Sequence, residues 1–100
     1  MSIRSFGAKT TYEEYYIAFG FLRPIDDRAT IVTAEVVAYD ALNVDKSSVL
    51  LSAGKQIIGE KRVNVWVNGG TAQRYKLRCR ILTSTGEKYG QSGYLEVEDE

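Results

Sequence analysis

An all-β fold is predicted by three features of this chain. Two segments alternate strictly between apolar and polar residues, a glycine pair separates them, and short apolar runs recur about every ten residues. The clearest alternation runs from Tyr75 to Thr83, where Tyr75, Leu77, Cys79 and Ile81 interleave with Lys76, Arg78 and Arg80. A period of two puts the first set on one face of a strand and the second on the other, and no helix sorts them that way. Val63, Val65 and Val67 interleave with Asn64 and Trp66 in the same manner, and their β-branched side chains favour extended backbone. Between the two strands, Gly69 and Gly70 mark a corner where φ is free to turn positive.

The remaining elements follow in order. Tyr15, Ile17, Phe19 and Phe21 alternate with Glu14, Tyr16, Ala18 and Gly20, predicting a strand that ends near Pro24 and an Asp26-Asp27 loop. A helix over residues 10–18 capped by Thr10 competes with it, but the alternation continues through Phe21. Thr30 to Tyr39 is rich in Val, Thr and Ile and reads as extended. Val49–Leu51 and Gln56–Ile58 are short apolar pieces around a Ser52-Ala53-Gly54 turn. Tyr94 to Val97 is the last strand, with Leu95 and Val97 facing inward. About seven short antiparallel strands at this spacing predict an immunoglobulin-like β-sandwich. Residues 13–98 form the expected domain, and the weakly periodic residues 1–12 are expected to be a flexible arm. The acidic end, Glu96, Glu98, Asp99 and Glu100, is expected to fray after Val97.

Parity constrains the last hairpin. Directly opposed residues share a face, so odd-numbered Leu77 and Cys79 must oppose odd-numbered positions such as Leu95 and Gly93. The loop therefore has an odd number of residues, predicted to centre on Gly86. That register sets Lys76 against Glu96 and Arg78 against Tyr94.

Composition narrows the chemistry. The chain has 100 residues, 44% of them hydrophobic and 26% charged, which suits one soluble domain. Thirteen Lys and Arg balance thirteen Asp and Glu, so the long-range positive field of a non-specific nucleic-acid binder is missing. No apolar run approaches membrane-spanning length, and the opening Met1–Phe6 has no continuous apolar core, so neither a membrane segment nor a secretory signal is expected. One cysteine allows no internal disulfide, which fits synthesis in a reducing cytoplasm. Histidine is absent, which removes the commonest general base and metal ligand. A non-enzymatic protein without cofactor or metal is expected; carboxylate-only catalysis would need Glu13, Glu14 or Asp26 to converge in a pocket.

Several residues have two readings each. The stripe Lys76, Arg78, Arg80 with Tyr94 beside it is a candidate interface, and its plainer reading is a solvated strand face paired to Glu96. Trp66 lies opposite the three valines and is either a contact anchor or part of a second small core. Tyr75 sits where immunoglobulin-like sandwiches place a corner tyrosine whose hydroxyl bonds the backbone. Cys79 reads as a buried small apolar group. Gly69-Gly70 and Gly86 read as turns, because the residues that accompany phosphate cradles are missing. Asp26, Asp27 and Asp45 lack the spacing of a calcium loop.

The run Val63 to Ala72, followed by Tyr75-Lys-Leu77 and by Ile81 to Gly86, resembles small phage and prophage structural proteins of the fiber-tail adaptor type. Ile31 to Val36 is similar to the first core strand of that pattern, and the resemblance covers about residues 30 to 97. Gln73 stands where the pattern has glycine. The resemblance implies a virion structural or adaptor module of the tail or head-tail region. It would work through contacts with other virion proteins or with itself, after synthesis in the cytoplasm. A carbohydrate- or ligand-binding sandwich, with Trp66 and surface tyrosines as a stacking platform, is the rival reading.

Overall fold

The computed structural model describes residues 4–21 and 28–100. Its backbone forms seven strands: β1 (Arg4–Thr10), β2 (Tyr15–Phe19), β3 (Ile31–Tyr39), β4 (Ile57–Ile58), β5 (Val63–Val67), β6 (Gln73–Thr83) and β7 (Lys88–Glu98). They make a four-stranded sheet in the order β1-β7-β6-β3 and a three-stranded sheet in the order β2-β5-β4. The period-two pattern in the sequence decides which side of each sheet is dry. On β6, Tyr75, Leu77, Cys79 and Ile81 are buried, and on β5 Val63, Val65 and Val67 are fully buried. Ile17 and Phe19 of β2 and Leu95 and Val97 of β7 complete one core shared by both sheets.

Four expectations need correction. Residues 4–10, expected as an arm, are strand β1 and pair in parallel with β7, so the sheet is not wholly antiparallel. No hairpin joins β1 to β7, so nothing in the connection forces the antiparallel arrangement. Second, Val49–Leu51 is not a strand. A single helical turn, α1 (Ser47–Leu50), precedes Leu51, and both Leu50 and Leu51 are buried. Consecutive side chains of a strand point to opposite faces, whereas here Leu50 ends the helical turn and Leu51 resumes extended backbone, with both side chains buried. Asp45 starts it by accepting the Ser47 N–H at 2.9 Å and hydroxyl at 2.7 Å.

The third correction concerns the last hairpin. Odd positions oppose odd ones, but Leu77 faces Gly93, Cys79 faces Gln91, Lys76 faces Tyr94 and Arg78 faces Ser92. The register is thus two residues from the expected one, and Arg74 takes the place opposite Glu96. The cause lies in the turn. Gly86 donates its N–H to the Thr83 carbonyl at 3.0 Å and sits at φ 86°. A left-handed residue closes such a loop instead of standing at its middle. Thr85 is therefore the centre and Ser84-Thr85-Gly86 the loop. Fourth, the last strand is longer than expected, running from Lys88 to Glu98, and Thr11 donates its N–H to the Glu98 carbonyl at 2.9 Å. The expected strand end near Pro24 and the Asp26-Asp27 loop lie outside the described residues.

Candidate functional site

The outer face of the four-stranded sheet is cationic. Lys76, Arg78 and Arg80 project from it because their odd-numbered neighbours are committed to the core. Arg74 pairs with Glu96 at 2.5 Å, and its guanidinium lies 5.1 Å from the centre of the Tyr94 ring. Arg78 lies 5.4 Å from the centre of the Tyr39 ring and 3.8 Å from the Glu35 carboxylate. Glu96, the expected partner of Lys76, thus belongs to Arg74. Arg74, Lys76 and Tyr94 share a hollow of about 410 Å³ with Asp40, Ala41 and Asn43.

A second surface, around Trp66, is aromatic. Trp66 alternates outward from β5 and is half-buried; the ring of Tyr16 meets it edge-on at 4.9 Å. The Lys55 ammonium lies over the tryptophan ring at 4.2 Å from its centre, a cation–π contact. An open groove of about 710 Å³ runs beside it, lined by Tyr12, Glu13, Glu14, Tyr15 and Trp66. The groove exists because β1 ends in a tight turn: Thr10 donates its N–H to a Glu13 carboxylate oxygen at 2.7 Å, and its hydroxyl accepts the Glu13 N–H at 3.3 Å. That turn sets Tyr12 out into solvent. Glu13 and Glu14, two of the acids named for carboxylate chemistry, meet here; Asp26 lies outside the described residues.

The glycine corner connects β5 to β6. Gly69 and Gly70 have φ of 54° and 87°. A side chain at Gly70 would press on Leu50 and on the Tyr75 ring. The Tyr75 hydroxyl accepts the Thr71 N–H at 2.9 Å, a local backbone tie across the corner. Gln73, the departure from the family-like pattern, adds to it: its amide nitrogen donates to Thr71 Oγ1 at 2.7 Å, and its oxygen accepts the Ala41 N–H at 3.1 Å.

Lys9 is not legible from sequence as a structural residue. It is 1% exposed, and its ammonium donates to the carbonyls of Thr10 and Gly69, each at 2.7 Å. Desolvation lowers its pKa, and the nearby Glu13 and Glu14 oppose that shift. Lys9→Met keeps the length of the side chain but leaves these carbonyls without their donor. A loss of about 1–3 kcal/mol in unfolding free energy is expected, read from urea midpoints.

Cys79 is fully buried, and desolvation raises its thiol from 9.0 to about 12. The folded chain therefore keeps its proton where the unfolded chain gives it up. The contribution of the thiol is complete below the unfolded value and is lost as pH rises from 9.0 toward about 12. The stability advantage of the natural chain over Cys79→Ala should shrink across that window, and thiolate alkylation should await unfolding. Rapid alkylation of the folded protein would contradict this.

Among the described residues, no group of three or more His, Cys, Asp or Glu is placed to hold a metal, and no helix is long and apolar enough to cross a membrane. The structure is thus an all-β module of two sheets over one core, with a cationic outer face on the four-stranded sheet and a separate aromatic groove beside Trp66. The chain belongs to the Gp77 family, described as podophage GP4 fiber-tail adaptor protein gp77, whose model matches residues 9–96. That match begins at Lys9, well before the stretch from residue 30 on which the resemblance rests. No curated protein matches the chain.

Proposed function

We propose that this chain is a non-enzymatic structural adaptor of a phage or prophage virion, an immunoglobulin-like module of the tail or head-tail region that acts through protein–protein contacts. Family membership over residues 9–96 carries the reading. The two-sheet architecture around one core supports the immunoglobulin-like assignment, although the parallel β1–β7 pair is a departure from a wholly antiparallel sandwich. Catalysis by the groove acids is disfavoured because one Glu13 oxygen is held by the Thr10 N–H as a turn cap.

Mass spectrometry of purified particles from the encoding phage or induced prophage tests the proposal. The chain should be present in a fixed ratio to tail proteins. Its absence from intact, fibre-bearing particles would sink the reading. The rival glycan platform draws on Tyr12, Tyr15 and Trp66 in one groove. Lys55 on the tryptophan face and Tyr16 at its side weigh against it, since sugar stacking needs an open ring.

A further inference from the structure

We propose that the free edge of β3 takes up a short extended segment of a different protein, one that presents a lysine or arginine between two apolar side chains. The inference rests on the adaptor reading for its setting and specifies the surface and the kind of partner.

The first support is the hydrogen bonding of that edge. Ala38 turns both of its backbone groups away from β6: its N–H donates to the Ser47 hydroxyl at 3.0 Å, and its carbonyl accepts the Lys46 N–H at 2.8 Å. Successive residues of a strand direct these groups to opposite edges, and the register with β6 is unbroken from Ala34 to Tyr39. Ala34 and Val36 therefore face the same way as Ala38. Among the described residues neither makes a hydrogen bond on that side, so their N–H and carbonyl groups are open to a strand laid beside them. At the other end the Ile31 N–H donates to the Glu60 carbonyl at 2.9 Å, and the open stretch thus lies between two capped positions.

The second support is what borders the gap. Ala34 and Val36 lie opposite Ile81 and Cys79 of β6 and so belong to the core side of the sheet, yet both are only half-buried. Ile58 of β4, opposite the fully buried Val63, is likewise on the core side of its sheet and is 46% exposed. β3 and β4 approach one another here, which gives the core an apolar mouth that two apolar side chains of an added strand would close. Between those two, the incoming residue falls on the outer face beside the exposed carboxylate of Glu35. Directly opposed unlike charges stabilise a strand pair and like charges destabilise it, which selects a cation. The stripe on β6 stands one strand farther away, about 10 Å, where salt screens it. A second copy's β3 is a poor occupant. The register that sets Ala34 against Val36 also sets Glu35 against Glu35, and a strand of 9 residues overruns the caps at both ends of the gap.

Two end-blocked peptides, titrated into the isotope-labelled chain and followed by amide NMR, test the idea: Thr-Val-Lys-Val-Thr and the same sequence with glutamate in place of lysine. The lysine peptide should shift the Ala34 and Val36 amides saturably and slow their exchange with water. At low salt it should bind about fivefold or more tightly than the glutamate peptide. Glu35→Lys should reverse that preference. Ala34→Pro removes an outward N–H but no bond to β6, a change that an edge strand tolerates. This variant should stay folded by circular dichroism and bind the lysine peptide about tenfold or more weakly.

No saturable shift at Ala34 and Val36 with about 5 mM lysine peptide would overturn the proposal, as would equal binding of the two peptides or shifts confined to other strands. Self-association of the natural chain that Ala34→Pro abolishes would also overturn it, because the edge would then belong to a second copy. Should Ala34→Pro not fold, the reversed preference of Glu35→Lys still decides. A chain that ignores both peptides yet is present in purified particles would refute the edge site and leave the adaptor reading intact. A chain that binds the lysine peptide but is absent from particles would do the opposite.

Discussion

Phe19→Ala is expected to lower the unfolding free energy by about 3–5 kcal/mol, a large loss for one truncated side chain. Phe19 is fully buried, and its ring meets that of Phe6 edge-on with centroids 5.0 Å apart. Those two residues belong to different sheets, Phe19 to β2 and Phe6 to β1. Removing the ring therefore costs its own apolar burial and also leaves the terminal strand without its anchor. Urea unfolding gives the magnitude. Amide exchange should show β1 opening at lower free energy than β6, and a loss below about 1 kcal/mol would show that the site refills without cost.

Gly93 gives the second large effect, and it acts through the same aromatic ring. A Cβ built at Gly93 would lie 2.8 Å from Phe6 Cζ and 2.9 Å from Phe6 Cδ2, closer than real carbons approach. Gly93→Ala should therefore displace the Phe6 ring, at a cost of about 1–3 kcal/mol by overpacking. The same substitution on a Phe6→Ala background should cost far less, because the ring it collides with is gone. That non-additivity, measured as a double-mutant cycle, is the discriminating result. Equal costs on the two backgrounds would place the penalty in the backbone of β7 instead of in the contact.

These three residues differ in how far the sequence reveals them. Phe19 belongs to an alternating run, so its inward direction follows from the amino-acid pattern alone. Phe6 and Gly93 are not legible as a pair, since one lies in a weakly periodic segment and the other reads only as a strand glycine. Their contact depends on β1 lying beside β7, a pairing between chain ends that no local pattern encodes. Lys9 is similar. A lysine in a polar stretch reads as solvated, and only the Gly69 carbonyl, sixty residues away in sequence, explains its burial.

The hairpin shows the boundary within one element. Parity excludes every even-length loop, yet several odd registers satisfy parity equally. The choice falls to Gly86, whose left-handed φ closes the turn after Thr85 and so moves the cations two positions along the partner strand. That shift gives Glu96 to Arg74 and leaves Lys76 opposite Tyr94. Glu96 therefore pairs with Arg74, which lies outside the stripe Lys76, Arg78 and Arg80, while Arg78 has the Glu35 carboxylate of β3 at 3.8 Å instead.

By itself the sequence determined the all-β class, the inward faces of β5, β6 and β7, and the cationic side of β6, because side-chain direction in a strand follows from position alone. The tertiary structure decided the parallel terminal strand, the helical turn that buries Leu50 and Leu51 together, and the groove that joins Tyr12, Glu13 and Glu14 to Trp66. Each of these brings together residues far apart in the chain or breaks the local period. The free energy that selects them comes from contacts that exist only once both sheets have closed over the core.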